Sequence, residues 1–152
     1  MTTLAVCNSY KQELLSGVHT STDIYKVALI KAFPDYTRGA ATTSAGSPGV
    51  GAPSFDNLGT DEVSPSGSYL SGGATLQGFT TSIFGSVATL DFDSLSFASA
   101  TISASGALIY NASKENRAVA VIGFGTIVSS TNGAFTITMP AAGQDTSLIR
   151  LG

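Results

Sequence analysis

The chain has 152 residues, of which 43% are hydrophobic and only 11% charged, where about 25% charged is usual for a globular chain. That length suits one compact domain, which at this size buries roughly 68–70% of the surface its unfolded chain exposes. Seven Lys and Arg against ten Asp and Glu leave a net charge of −3, which argues against nucleic acid as a partner and gives no polybasic handle for an anionic membrane.

Cys7 is the one cysteine, so no intramolecular disulfide can form. Leu4-Ala5-Val6-Cys7 has the outline of a lipoprotein cleavage site, but the six residues before the cysteine carry no basic side chain and no apolar run long enough to insert. Ser9-Tyr10-Lys11-Gln12 has the form of a capping box, and Gly17 falls where a left-handed stop belongs. These signals predict one short helix over 9–16, with Tyr10, Leu14 and Leu15 close together on one face. His19 follows it, expected as an exposed or capping side chain. Residues 23–32 read DIYKVALIKA, largely apolar on both sets of alternate positions, which predicts a well-buried strand ended by Phe33-Pro34.

From 34 to 73 the texture changes to Gly, Ser, Thr, Ala and Pro, a composition that cannot bury enough apolar surface to offset its own ordering entropy. The expectation is a long irregular loop, either a surface excursion or an arm that orders on a neighbouring subunit. Tyr36, Phe55, Leu58, Tyr69 and Leu70 are its candidate assembly contacts, and Val63 is a further apolar anchor. The main strand-rich part follows over 74–151. Strands are predicted over 74–81, 86–92, 100–111, 117–124, 133–139 and 146–151, each rich in β-branched or aromatic residues and bounded by Gly, Ser, Asn or Pro. A polar connection over 111–116 predicts a hairpin, and Asn132-Gly133 reads as a turn entering the next strand. The fold class is mainly β: an antiparallel sandwich or barrel-like single domain with one short N-terminal helix and the long Gly/Ser/Pro-rich loop.

Catalytic chemistry is hard to assemble from these residues. His19 is the only histidine and no GxSxG elbow accompanies it. Asp91 and Asp93 share one side of a strand and could ligate a hard cation, but without the EF-hand spacing a solvated strand end is favoured; Asp61-Glu62 has the same ambiguity. Gly123-Phe124-Gly125 lacks the third glycine of a dinucleotide loop and reads as a bulge or turn. Asn111-Ala112-Ser113 matches a glycosylation acceptor, with no secretory signal to route it there. One Cys and one His exclude a standard zinc site. The expectation is no catalytic residue, no cofactor and no metal. No stretch approaches the ~20 apolar residues a bilayer crossing needs, so the product is expected in the cytoplasm.

Three stretches carry a resemblance. They are Ser9-Tyr10-Lys11-Gln12-Glu13-Leu14-Leu15-Ser16-Gly17-Val18-His19 with Asp23-Ile24-Tyr25-Lys26-Val27-Ala28-Leu29; Asp61-Glu62-Val63-Ser64 with Gly67, Tyr69, Gly72-Gly73 and Leu76; and Ala107-Leu108-Ile109-Tyr110-Asn111 with Arg117-Ala118-Val119-Ala120-Val121 and Asn132-Gly133-Ala134-Phe135-Thr136-Ile137. Together they resemble a family of small virion structural proteins of tailed bacteriophages, over most of the chain, with 33–59 the least typical part. The resemblance implies a non-enzymatic component of the particle, assembled in the bacterial cytoplasm, and brings no catalytic residues. A capsid decoration or cement protein is the first expectation, binding the major capsid protein and its own copies, with trimers favoured by the three-fold positions of a capsid lattice. The alternative is a tail, neck, tail-fibre or baseplate-associated protein that touches tail proteins or a host-surface glycan. A surface rich in Ser, Thr, Gly and Ala agrees with either, since small side chains lose little freedom when ordered against a partner.

Overall fold

The computed structural model describes residues 3–31 and 54–152. Nine elements follow in order: strand β1 (Thr3–Val6), helix α1 (Asn8–Leu15), then strands β2 (Tyr25–Ile30), β3 (Ala74–Thr75), β4 (Thr80–Phe84), β5 (Val87–Asp91), β6 (Leu95–Asn111), β7 (Arg117–Ile137) and β8 (Ile149–Leu151). Two short 3-10 turns, Phe55–Asn57 and Gly59–Asp61, precede β3. The strands form two antiparallel sheets, one of five strands in the order β1-β7-β6-β2-β3 and one of three in the order β4-β5-β8. The fold is mainly β with one short helix, as the strand periodicity predicts.

The hairpin of β6 and β7 is the backbone of the molecule. Its strands run 17 and 21 residues, far beyond the usual 5–6, and pair from Asn111↔Arg117 to Leu95↔Ile137. The 111–116 connection turns the chain as expected, with Glu115 and Asn116 in the left-handed region. The predicted break after residue 124 does not occur: 117–124 and 133–139 belong largely to one strand. Bulges replace the turn, one of them around Gly125 (φ +78°) between the pairs Ala104↔Val128 and Gly106↔Gly123. A second absorbs Asn132 (φ +46°), so Asn132-Gly133 bends a continuing strand instead of reversing it.

β2 lies between β6 and β3 and is buried at every position except Lys26, which agrees with its two-sided apolar pattern. The inner half of β6, from Ala104 to Asn111, is likewise buried without alternation, whereas its outer half is largely exposed on one side. Val27, Leu29, Ile30, Ile109, Val119 and Val121 are among the fully buried side chains at this crossing. Tyr25, Phe79 and Phe92 join the two sheets, with ring centroids 5.4–5.6 Å apart. At such spacing aromatic pairs add about 0.5–1.5 kcal/mol each beyond the area they bury.

Three local expectations are corrected. Helix α1 starts one residue earlier than 9–16, because β1 pairs with β7 up to Val6 and Cys7 N–H continues to the Val119 carbonyl. Cys7 therefore takes the N-cap position, and Ser9 moves inside the helix, where its buried hydroxyl has no hydrogen-bond partner among the described residues. The capping box is thus not formed. The C-terminal stop is: Gly17 (φ +70°) and Val18 donate to the Leu14 and Glu13 carbonyls, a Schellman closure.

The predicted strand 74–81 is split, since Gly78 (φ +71°) sits against Asp93 between β3 and β4. β1 is the strand that composition does not announce.

The third correction concerns the loop over 34–73. Residues 34–53 lie outside the described residues, but 54–73 fold back onto their own sheet. Ser68 N–H and Tyr69 N–H donate to the Ala98 and Ser66 carbonyls, and the Ser68 and Ser66 hydroxyls accept from Ala98 and Thr101 N–H. They grip the bulge where Ser99 adopts φ +51°, and Gly67 lies so close to the Ser99 carbonyl that a Cβ has no room there. Gly73 is held the same way against the Val27 carbonyl. A Gly-rich stretch that reads as an arm is, over 54–73, a strap on its own core.

Candidate functional site

The five candidate assembly residues part company. Tyr36 lies outside the described residues. Tyr69 is fully buried and edge-on to Phe97 at 4.9 Å, and its hydroxyl accepts from Leu29 N–H at 2.9 Å and donates to Glu62 Oε1 at 3.0 Å. Leu58 is also core, and Phe55, half-buried, stacks on Tyr110 with centroids 4.7 Å apart. Of the four that are described, only Leu70, 65% exposed, is a free surface anchor. Leu58 and Tyr69 are therefore corrected from surface contacts to packing residues: they complete a core that β2 and β6 leave open.

Glu62 explains why this strap is ordered. Its Oε1 accepts from Tyr69 Oη and Gly72 N–H, and its Oε2 from the Ser71 hydroxyl at 3.2 Å. Asp61 offers its carbonyl to Lys31 N–H. Asp91 is buried, and its Oδ1 takes Leu148 N–H at 2.8 Å, tying the C-terminal segment to β5. Asp91 is thus a structural acceptor and not a solvated strand end. Asp93 is exposed beside Gly78. Among the described residues, no group of three or more His, Cys, Asp or Glu side chains is placed to hold a metal ion.

Among the described residues, a polar cluster sits where α1, the segment after it and the β6–β7 turn meet. Contrary to the expectation of an exposed group, the His19 side chain is 1% exposed. Its Nε2 lies 2.6 Å from Glu13 Oε2 and its Nδ1 2.9 Å from Asn111 Nδ2, while the ring packs on Tyr10 with centroids 4.6 Å apart. Asn111 is fully buried; its amide donates to both His19 Nδ1 and Asp23 Oδ2, and its Oδ1 accepts from Ser113 N–H. Since Nδ1 accepts, the ring proton belongs on Nε2, facing Glu13. Arg117 Nη1 closes the set on Glu13 Oε1 at 2.9 Å, with Glu115 on its other nitrogen at 3.3 Å, and Lys114 lies 3.7 Å from Asp23.

Both ring nitrogens of His19 are thereby engaged inside the protein. A general base needs one of them free for a substrate proton. What the cluster does is lock the helix and the segment after it to the hairpin turn. It was illegible in sequence because His19 and Asn111 are 92 positions apart. The same burial closes Asn111 to glycosylation.

Burial pushes the Cys7 thiol up to about 12, with the nearby Glu13 charge adding to it and Lys11 opposing, so this cysteine is an inert core group. Burial also works against the charged form of Asp23. Hydrogen bonds from Asn111 and Thr20 together with the Lys114 charge outweigh it and hold Asp23 below the ordinary carboxylate value. A depressed folded-state value means the stabilisation is complete above the unfolded value near 3.9 and fades as pH falls through the folded one. Asp23→Asn is expected to flatten the loss of stability between roughly pH 5 and pH 2, read by urea unfolding at stepped pH. An unchanged pH profile would mean that Asp23 contributes nothing to acid lability.

Surface grooves also lie among the described residues. One, about 760 Å³, runs between α1 and the three-stranded sheet and is lined by Tyr10, Leu14, Phe79, Ile83, Leu90 and Leu151. A second, about 740 Å³, lies beside β1 and the far part of β7, with Leu4, Val6, Phe124, Val128, Phe135 and Ile137 in its wall. The first is mainly apolar, the second also has Thr136, Thr146, Ser147 and Arg150 in its wall, and neither gathers a convergent set of reactive groups. No helix among the described residues is long and apolar enough to cross a membrane. No family model, curated protein or solved structure matches this chain.

Proposed function

We propose that this chain is a non-enzymatic structural component of a bacteriophage virion, a capsid decoration or cement protein that stabilises the head. One observation carries the reading. No charged side chain occurs between Asp93 and Lys114, nor between Arg117 and Asp145, yet much of the outer half of this long hairpin is exposed. Exposed strands without charge are poorly defended against association, and a protein that keeps them has a use for contact. The closed bonding of His19 supports the absence of catalysis, and the small side chains along the hairpin support a contact with low ordering cost. The partners proposed are the major capsid protein and further copies of this chain, with neither nucleic acid nor membrane involved. Exposed Leu70 remains the one described strap residue suited to such a contact.

A tail, neck or fibre location is the second reading, and copy number separates the two. Quantitative mass spectrometry of purified particles is expected to find this chain in numbers comparable to capsid subunits. About six or twelve copies per particle would move it to the tail, where ring symmetry sets such counts. Complete absence from particles would overturn both.

A further inference from the structure

We propose that the open edge of β7 over 124–137 is the contact through which two copies of this chain pair, edge to edge. The inference deepens the virion reading, on which it rests for the expectation that copies meet.

β7 has two sides. One pairs with β6 along nearly its whole length, and the other is covered by β1 only from Ala120 to Gly123. Beyond Gly123, no backbone partner is found on that second side among the described residues. The strand carries 14 further residues there, a row of donors and acceptors of the kind that templates another strand.

Natural edges are blunted by lysine, proline, inward charge or bulges, and of these the stretch between 124 and 137 has only bulges. Bulges at Gly125 and Asn132 bend it but leave straight runs on either side. Ile127 stands 59% exposed and Val128 38% exposed on it, and the second groove opens alongside, walled by Phe124, Val128 and Ile137.

Charge selects the occupant. The chain is acidic overall, at −3, so two copies repel wherever carboxylates would face each other. Between 124 and 137 the β7 edge carries no charge to repel with, and Arg150 is the single charged side chain among the described residues that line the groove beside it. An antiparallel pair of identical edges about a two-fold axis satisfies both rows of backbone groups at once, and it is self-complementary by symmetry. Apolar side chains from one copy then reach the groove of the other. This contact is isologous and differs from the three-fold ring expected from a capsid lattice.

The test is sedimentation equilibrium of the purified full chain, with Ile127→Lys as the variant. The wild type is expected to be dimeric, and Ile127→Lys to raise the dissociation constant at least about tenfold while its circular dichroism and melting remain native. Replacing Ile127, Ser129 and Thr131 by Cys one at a time, then oxidising, is expected to give a covalent dimer from at least one position. Leu15→Cys, on the helix, is expected to give none. Cys7 is buried and does not compete.

A wild type that stays monomeric at high concentration overturns the proposal, and so does a folded Ile127→Lys with unaltered association. Separate outcomes identify which idea failed. A dimer that forms through β7 but never cosediments with phage particles removes the virion reading alone. A monomer that cosediments removes the edge contact alone.

Discussion

Replacing Ile109 or Val121 by Asp is expected to leave the chain unfolded, because each is a buried side chain on the central β6–β7 ladder of the five-stranded sheet. Ile109 is fully buried and pairs with Ala120; Val121 is 2% exposed and pairs with Leu108, one step along the same ladder. An unpaired charge at such a site costs on the order of 3–5 kcal/mol, to which the lost apolar packing adds. A domain of this size has about 5–15 kcal/mol in total, so little or nothing remains. Far-ultraviolet circular dichroism and urea titration check it. Recovery of either variant as a native multimer would mean that the pairing of β6 with β7 is misassigned.

Tyr69→Ala is the second large effect, and it separates two roles. As an assembly contact, Tyr69 would leave the isolated chain as stable as before and weaken only association. As the core residue described above, it takes with it a fully buried ring, the packing on Phe97 and two hydrogen bonds, leaving Leu29 N–H without its Tyr69 acceptor and Glu62 with only Gly72 and Ser71 as donors. Large aromatic truncations in cores cost about 3–5 kcal/mol. Tyr69→Phe keeps the ring and loses the hydroxyl, for which about 1–3 kcal/mol is expected, because a buried donor is left unsatisfied. Denaturant unfolding of both variants checks this, and Tyr69→Ala with wild-type stability would return the residue to the surface.

The contrast between Ile109 and Tyr69 shows what sequence reasoning reaches here. Residues 107–111 and 117–122 are dense in β-branched, aliphatic and aromatic side chains, and a strand with such a run can only be buried on both faces, so this part of the fold was readable directly. Tyr69 stands among Ser, Gly and Pro, and local composition assigns such a residue to the surface. What places it inside is the bulge at Ser99, thirty positions away, which creates a seat that Gly67 and Ser68 fit.

The same limit hid the His19 cluster, whose partners come from α1 and the hairpin turn, and the strand status of β1, whose four residues are too short for a periodic signal. The bulge-or-turn reading of Gly123-Phe124-Gly125 holds as a bulge, whereas Asn132 and the strand end placed at 124 misled in the opposite sense. The turn chemistry is real, but inside a paired ladder it yields bulges and the strand continues. The proposed role draws on a property that is fully visible in sequence, the charge-free hairpin, and on one that is not, its unpaired edge.

The most direct test of that proposed role is a cryo-electron reconstruction of the phage particle in which the proposal places this chain. The account predicts β density for the chain on the outside of the head, repeated with the capsid lattice and touching the major capsid protein. A shell with no such density, together with a purified chain that ignores particles and turns over a substrate, would contradict it.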